Sequence, residues 1–386
     1  MLKIIPFLIC FLAQPFCAEY LYAETPEADK PSTYSLTTES STFYYDSPHF
    51  INAIGYLPTG AIVSVCLKDD KFYRLCPFGT KGPYYLKPSV QLKASEGQGM
   101  PKLVKIFAFK GYIDLLYLDS TSPPAAYVDN YTANLSITFT PLQNRVEYIR
   151  YEKSWQHGDI RIFEEGSGAI RLEFDKAGQC GFEIVHSTPH ALRIKFNECS
   201  KSNFLLAIDP GHGGQDRGAC QEGICEADIA LKTASMLKAN LDKKGIRSFL
   251  IREQDTAVSL QDRLKNAVTG KASHFISLHY DKWEPSNYIT EAPSGTACYF
   301  FHQYMSQMAK SICGKNSIKG IAVNNITQRG FYVLGSYVIP SVLVEIGNLA
   351  NKSDFEIVSK PDFVKSAADF LAQEISSIYN NLGKNN

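Results

Sequence analysis

Phe204-Leu205-Leu206-Ala207-Ile208-Asp209-Pro210-Gly211-His212-Gly213-Gly214-Gln215-Asp216-Arg217-Gly218-Ala219 is where the chain changes character. Its apolar opening, Phe204 to Ile208, reads as a short buried strand. Asp-Pro-Gly then signals a turn. His212 stands between glycines, which let the backbone approach a ligand where open α/β sheets bind theirs, beyond the strand's carboxyl end.

Beyond this stretch, strand patterns alternate with helical ones. Ile229, Ala230, Thr233, Leu237 and Leu241 form a helical stripe that stops at Lys243-Lys244-Gly245. Ser248–Arg252, Phe275–Leu278 and Val342–Val344 read as strands, with helices around Leu260–Ala267, His302–Cys313 and Asp362–Tyr379. The expectation for residues 203–386 is an α/β domain, a mostly parallel sheet with helices on its faces.

Four polar residues fall at strand ends or helix starts of this domain: His212, Glu226, His279 and Glu345. Parallel strands ending in such residues bring them together at the sheet's carboxyl edge. Two histidines and one carboxylate leave an open tetrahedral position, the form of a catalytic zinc site. A second carboxylate outside that shell can take a proton from water and give it to a leaving nitrogen. Each residue also has a structural reading. His212 caps a turn, Glu226 complements a helix dipole, His279 is a core histidine, and Glu345 pairs with Arg252 or Arg329. Asp209 and Asp216 read as turn and supporting groups rather than ligands, and His274 and His302 as surface or core residues.

These motifs resemble the catalytic domain of zinc-dependent N-acetylmuramoyl-L-alanine amidases. The matching residues are Ile208–Gly214 with Asp216, Gly218 and Ala219; Glu226 before a helix; Arg252, Asp255, Ser259-Leu260 and Arg263; Ile276–His279; Phe331–Leu334 before Pro340; and Val344–Asn351. The resemblance implies Zn2+ held by His212, Glu226 and His279, with Glu345 as catalytic acid/base and peptidoglycan as substrate. Two residues depart from the pattern. Tyr280 replaces a small residue and Asn348 an aromatic one, and both are expected near the cleft. The span from Trp283 to Ser336 is too short for the long inhibitory-helix insertion of some relatives, so an open cleft is expected. Whether an activator protein takes part stays open.

Upstream, Met1-Leu2-Lys3 and the apolar run Ile4–Phe16 read as a signal peptide (1–23), too short to span a bilayer. An uncleaved anchor is the alternative. Residues 24–41 read as a flexible polar lead. Residues 42–99 alternate short β runs with turns. Gly55–Val65, Phe72–Leu75 and Gly82–Leu86 resemble a bacterial SH3-like domain. Residues 100–202 contain two similar units, Tyr112–Asp119 leading to Leu135–Phe139 and Ala169–Asp175 leading to Leu192–Phe196. A duplicated β unit packed as a sandwich explains them. This region resembles the AMIN-type targeting domains that precede cell-wall amidases. The alternatives are a spacer barrel and a sandwich of other purpose.

The 386 residues suit two or three domains, with 45% hydrophobic and 20% charged residues enough for a real core. Zero net charge and the lack of a basic stripe argue against nucleic acid. No second apolar run is long enough to span a membrane, so the mature chain is expected in the periplasm or secreted. Outside the signal the cysteines fall as neighbours, Cys66/Cys76, Cys180/Cys199, Cys220/Cys225 and Cys298/Cys313. They read equally as disulfides of unfixed connectivity or as buried thiols. Ser235-Met236-Leu237-Lys238 is an S-x-x-K, the nucleophile pattern of penicillin-interacting enzymes, without a K-T-G partner. The rivals to a zinc amidase are therefore a zinc- or Ser235-dependent peptidoglycan carboxypeptidase or endopeptidase, and a wall-binding module without catalysis.

Overall fold

The computed structural model describes residues 32–36, 42–45, 53–57, 62–75, 84–87, 89–94, 101–118, 124–129, 131–140, 142, 146, 148–165, 168–175, 177–188, 190–281, 292–314, 318 and 320–382. The expected signal peptide lies outside the described residues. No described helix is long and apolar enough to cross a membrane.

The first described segment is an antiparallel sheet of seven short strands. Ser32–Leu36, expected as flexible lead, is an inner strand of this sheet. It pairs with Ile62–Lys68 on one side and Leu92–Ala94 on the other. Its Ser-Thr-Tyr-Ser composition hid it, because hydroxyl and aromatic residues favour strands without an apolar alternation to announce them.

Residues 102–196 form two stacked sheets. One contains Ala125–Asp129, Leu135–Thr140, Ile170–Phe174 and Ile160–Glu164. The other contains Tyr148–Tyr151, Lys102–Phe109, Tyr112–Leu118, Ala191–Phe196 and Phe182–Thr188. The two similar sequence units are interleaved. Tyr112–Leu118 pairs with Ala191–Phe196 from the other unit, and Leu135–Thr140 with Ile170–Phe174. Period-two patterning turns Ile113, Leu115, Ile137, Phe139, Leu172 and Ile194 inward into one core.

The third part holds the candidate site. Its strands are β1 (Leu206–Pro210), β2 (Ser248–Leu250), β3 (His274–His279), β4 (Thr296–Phe300), β5 (Val323–Gln328) and β6 (Ser341–Glu345). Its helices are α1 (Glu226–Lys243), α2 (Leu260–Thr269), α3 (Gln307–Cys313), α4 (Lys352–Val358) and α5 (Phe363–Asn381). The sheet order is β2-β1-β3-β6-β4-β5. The first four strands are parallel, β4 runs antiparallel to β6, and β5 runs parallel to β4.

β1 and β3 are buried along nearly their whole length because helices cover both faces of the sheet, which is why they read as continuous apolar runs. On one face, Leu206, Ile208, Ile276, Val342 and Val344 pack against α1, α3 and α5. α5 meets α1 through Ala367, Ala368, Leu371, Ala372 and Ile375. α2 starts at a Ser259 cap whose hydroxyl accepts from Asp262 N–H. The helix expected over His302–Cys313 is a 3-10 turn, Gln303–Met305, followed by α3. α4 escaped the pattern reading because it is short, with only Asp354 and Val358 buried.

Three disulfides join the sequence neighbours: Cys180–Cys199, Cys220–Cys225 and Cys298–Cys313. Cys66 is also disulfide-bonded, and Cys76 lies outside the described residues.

Leu237 is fully buried in the core beside β1 and α5. Leu237→Ala should cost about 2–5 kcal/mol, read as a lowered urea midpoint by circular dichroism.

Candidate metal centre

The site begins with backbone. β1 continues through Asp209 and Pro210, so the turn falls at Gly211–Gly214. His212 itself has a positive φ of 55°, an uncommon left-handed conformation for a residue with a Cβ. Arg252 holds this turn, donating to the carbonyls of Pro210, Gly211, Ala227 and Gln254. Arg263 adds bonds to the carbonyls of Pro210, His212 and Val258 and to the buried carboxylate of Asp209. Ser277 donates to the other Asp209 oxygen. Asp209 is thus a foundation beneath the loop. Arg252, one of the two bridge partners weighed for Glu345, thus spends its donors on backbone carbonyls of the turn.

His212, Glu226 and His279 converge, with candidate ligand atoms all within 4.8 Å of one another. Glu226 Oε1 lies 3.1 Å from His212 Nε2 and 2.7 Å from His279 Nδ1. Its Oε2 accepts from Ala219 N–H at 3.1 Å. His212 Nδ1 meets Asp216 Oδ2 at 2.8 Å, which fixes the ring's orientation.

The donor set suits a divalent metal of zinc type, which takes imidazole nitrogen and carboxylate oxygen at about 2.0–2.2 Å. Two glycines make room for the cluster. A Cβ on Gly211 would sit 2.3 Å from the His279 ring, and one on Gly218 would sit 2.5 Å from Glu226 Oε2. The charges also favour a cation. Burial opposes ionisation of Glu226, but hydrogen bonds and charge from the two histidines outweigh it and hold the carboxyl well below its usual range. Burial likewise disfavours charging His212, yet Glu226 and then Asp216 raise it to about 9.

Glu345 ends β6 directly beside His279, its register partner on β3. Its Oε2 accepts from Asp281 N–H at 2.6 Å. Burial pushes its carboxyl up to about 8; His279 offsets this, while Glu226 and Asp281 add to it. Asp281 was not singled out by the sequence reading. Its position two residues beyond His279, at the same sheet edge, was the available signal. Tyr299 was also missed. It lies on the same sheet face as Glu345, two residues beyond Ala297, the cross-strand partner of Glu345. The ring of Phe331 packs edge-on against it at 5.2 Å.

Several expectations are corrected. Tyr280 does not line the cleft. Side chains alternate along a strand, so the residue after His279 faces the opposite side. There Tyr280 is fully buried, bonded to Thr233 on α1 and packed on Phe363. Asn348 is buried but stays close to the candidate site: it ties the exit of β6 to Pro293 and to Asp281, whose N–H holds Glu345. Ser235 and Lys238 do not form a dyad. The Ser235 hydroxyl donates to Leu231 O one turn back, and Lys238 pairs with Asp242. His274 and His302, by contrast, follow the core alternative of their reading: both are buried, and burial lowers both to about 4. Of the span 283–336, β4, α3 and β5 use much of residues 296–328. Residues 282–291 lie outside the described residues, so the expectation of an open cleft is not decided there.

Residues 206–377 match the family model described as N-acetylmuramoyl-L-alanine amidase. N-acetylmuramoyl-L-alanine amidase LytC of Bacillus subtilis (strain 168) is 31% identical over 224 residues, 56% of this chain and 44% of that protein. Probable cell wall amidase LytH of Staphylococcus saprophyticus is 32% identical over 159 residues, 40% of this chain and 51% of the relative. The chain therefore spans about half the length of these two relatives. Among solved structures, the catalytic domain of CwlV, an N-acetylmuramoyl-L-alanine amidase from Bacillus (Paenibacillus) polymyxa var. colistinus, is 26% identical. It covers 46% of this chain and 99% of that one, with a TM-score of 0.43. The domain of residues 206–377 belongs to the N-acetylmuramoyl-L-alanine amidase family.

Two measurements test the metal centre. Gly211→Ala should weaken zinc binding by about 10–100-fold, because the added Cβ displaces His279. Chelator competition reads this directly. In the wild type, metal must displace the protons that Glu226 and Asp216 hold on His212. Affinity should therefore rise with pH, about tenfold per unit for each proton displaced, and level off near pH 9. Affinity that does not vary between pH 6 and 9 would contradict the ligand role of His212.

Proposed function

We propose that this chain is a zinc-dependent peptidoglycan amidase that cleaves the bond between N-acetylmuramic acid and L-alanine. The carrying observation is the His212–Glu226–His279 triangle with the raised carboxyl of Glu345 beside it, within a domain of the amidase family. We further propose that residues 1–23 direct export, that the protein acts in the periplasm or outside the cell, and that the two β-rich parts before residue 203 serve the cell wall. The SH3-like and AMIN-like identities of those parts are carried by their sequence resemblance.

In this reading His212, Glu226 and His279 hold the metal. A zinc ion there would polarise the scissile carbonyl and make a water acidic enough to attack near neutral pH. Asp281 N–H grips one oxygen of Glu345 and so orients the carboxylate toward the cleft. Glu345 takes the proton from the attacking water. It then delivers that proton to the leaving nitrogen of L-alanine, an amine that departs poorly unless protonated. Burial supports both steps. It raises Glu345 toward the working pH, where the group serves as base and then as acid.

Mass spectrometry of products from defined muropeptides tests the reaction. Free stem peptide and intact sugar, lost on chelation and restored by zinc, are expected. Loss of a terminal D-alanine would instead make the chain a carboxypeptidase, and no product in any condition would favour a binding module. Glu345→Ala should keep zinc affinity and lower kcat by about 10²–10⁴-fold. Because the base must be ionised, kcat/KM should rise with pH along an acid limb that Glu345 sets. A divalent cation stabilises the carboxylate, so its midpoint should fall below the value of about 8 given by burial.

A further inference from the structure

The β-sandwich does not touch all strands of the α/β sheet alike. Where the hairpin of Phe182–Thr188 and Ala191–Phe196 ends, Cys180–Cys199 ties its two arms together. Here the sandwich grips the segment that leads into β6. Phe182 N–H donates to Tyr337 O at 3.0 Å, and Asn197 Nδ2 donates to Val338 O at 2.7 Å. The Phe182 and Tyr337 rings stack at 4.8 Å, nearly parallel. Gly181 has a φ of +86°, and a Cβ there would lie 1.9 Å from Val338 O. The contact is backbone against backbone, and only glycine fits.

The grip reaches the neighbouring strand as well. Tyr304 and Met305, in the turn that follows β4, are buried with Tyr337 in the sandwich core. β4 and β6 are the antiparallel pair that carry Tyr299 and Glu345. Phe331, which packs on Tyr299, lies six residues before Tyr337 in the same connecting segment.

The metal ligands sit elsewhere, on β3, the start of α1 and the loop after β1. Beside the clamp, a cavity of about 260 Å³ lies between the sandwich and the leading end of β3, lined by Cys180, Asn197, Glu198, Lys271, His274 and Val338 among others. The direct backbone grip of the sandwich on this sheet is thus on the segment that leads into β6, the strand that bears Glu345.

We propose that Gly181, Phe182 and Asn197 are positioning residues for the reaction. By holding Tyr337–Val338 they set the height of β6, and with it the placement of Glu345 relative to the metal centre. They contribute nothing to metal binding. This inference rests on Glu345 being the acid/base of the proposed amidase. Short packed strands transmit such a shift because they move as units rather than stretch.

The test uses the full chain with Asn197→Ala, which deletes one hydrogen bond, and Gly181→Ala, which wedges the contact. Three quantities are read: zinc affinity, hydrogen exchange at residues 341–345, and kcat and KM on a defined muropeptide. Exchange in β6 should rise about tenfold, since its local opening loses a clamp. kcat should fall about tenfold or more, because small misplacements of a catalytic group are costly. KM and zinc affinity should stay within about twofold, as the groups that bind are untouched. Should Gly181→Ala fail to fold, the milder Asn197→Ala still decides the matter. Unchanged exchange and kcat in the folded variants would overturn the proposal. So would zinc affinity falling in step with kcat, which is the mark of general destabilisation. If the wild type releases no stem peptide, the amidase reading itself fails, while the exchange and affinity measurements still report whether the clamp governs β6.

Discussion

Glu226 is the constraint that the site depends on. It is a carboxylate almost wholly out of water, at 2% exposure, and an uncompensated buried charge is costly. Every nearby element answers that demand. His212 and His279 approach one oxygen, the backbone of Tyr280 donates to it, and Ala219 donates to the other. The helix that begins at Glu226 places its positive end there. A divalent ion in place of the two ring protons would compensate the same carboxylate.

The loop that delivers His212 is itself costly, with a non-glycine residue in the left-handed region. The expense is met below the surface. Arg252 and Arg263 donate together to carbonyls of Pro210, Gly211 and His212, and Asp209 neutralises Arg263 in turn. Neither arginine supplies a candidate ligand atom; both hold the turn that presents His212.

The α/β part was legible because its signals are local and periodic. The apolar runs of β1 and β3, the α1 stripe and the glycine-flanked histidine all state their roles within a few residues. His212, Glu226, His279 and Glu345 stood out by position and by family resemblance together; the structure gathers the first three and sets Glu345 beside His279. What sequence missed depends on tertiary geometry. Tyr280 faces away from His279 because of strand alternation, and its neighbours belong to α1 and α5. Asp281 acts through its backbone, which carries no residue signature. Ser235 and Lys238 have the right spacing but spend their polar atoms on Leu231 and Asp242. Ser32–Leu36 became a strand through partners that are distant in sequence.

The interleaved sandwich has a consequence for how the chain comes into being. Each of its two sheets draws strands from both sequence units. A single unit would therefore expose apolar faces on both of its hairpins. Arg193 meets Asp114 from 79 residues away, and that pairing lies at the seam between the units. Closing such a seam requires a long loop to be ordered first, so this fold forms slowly compared with a helical bundle. During synthesis the first unit must wait, unpaired, until the strand ending at Phe196 has emerged. The two halves then complete one another as two copies of a single peptide would in a dimer, with the linker replacing the encounter.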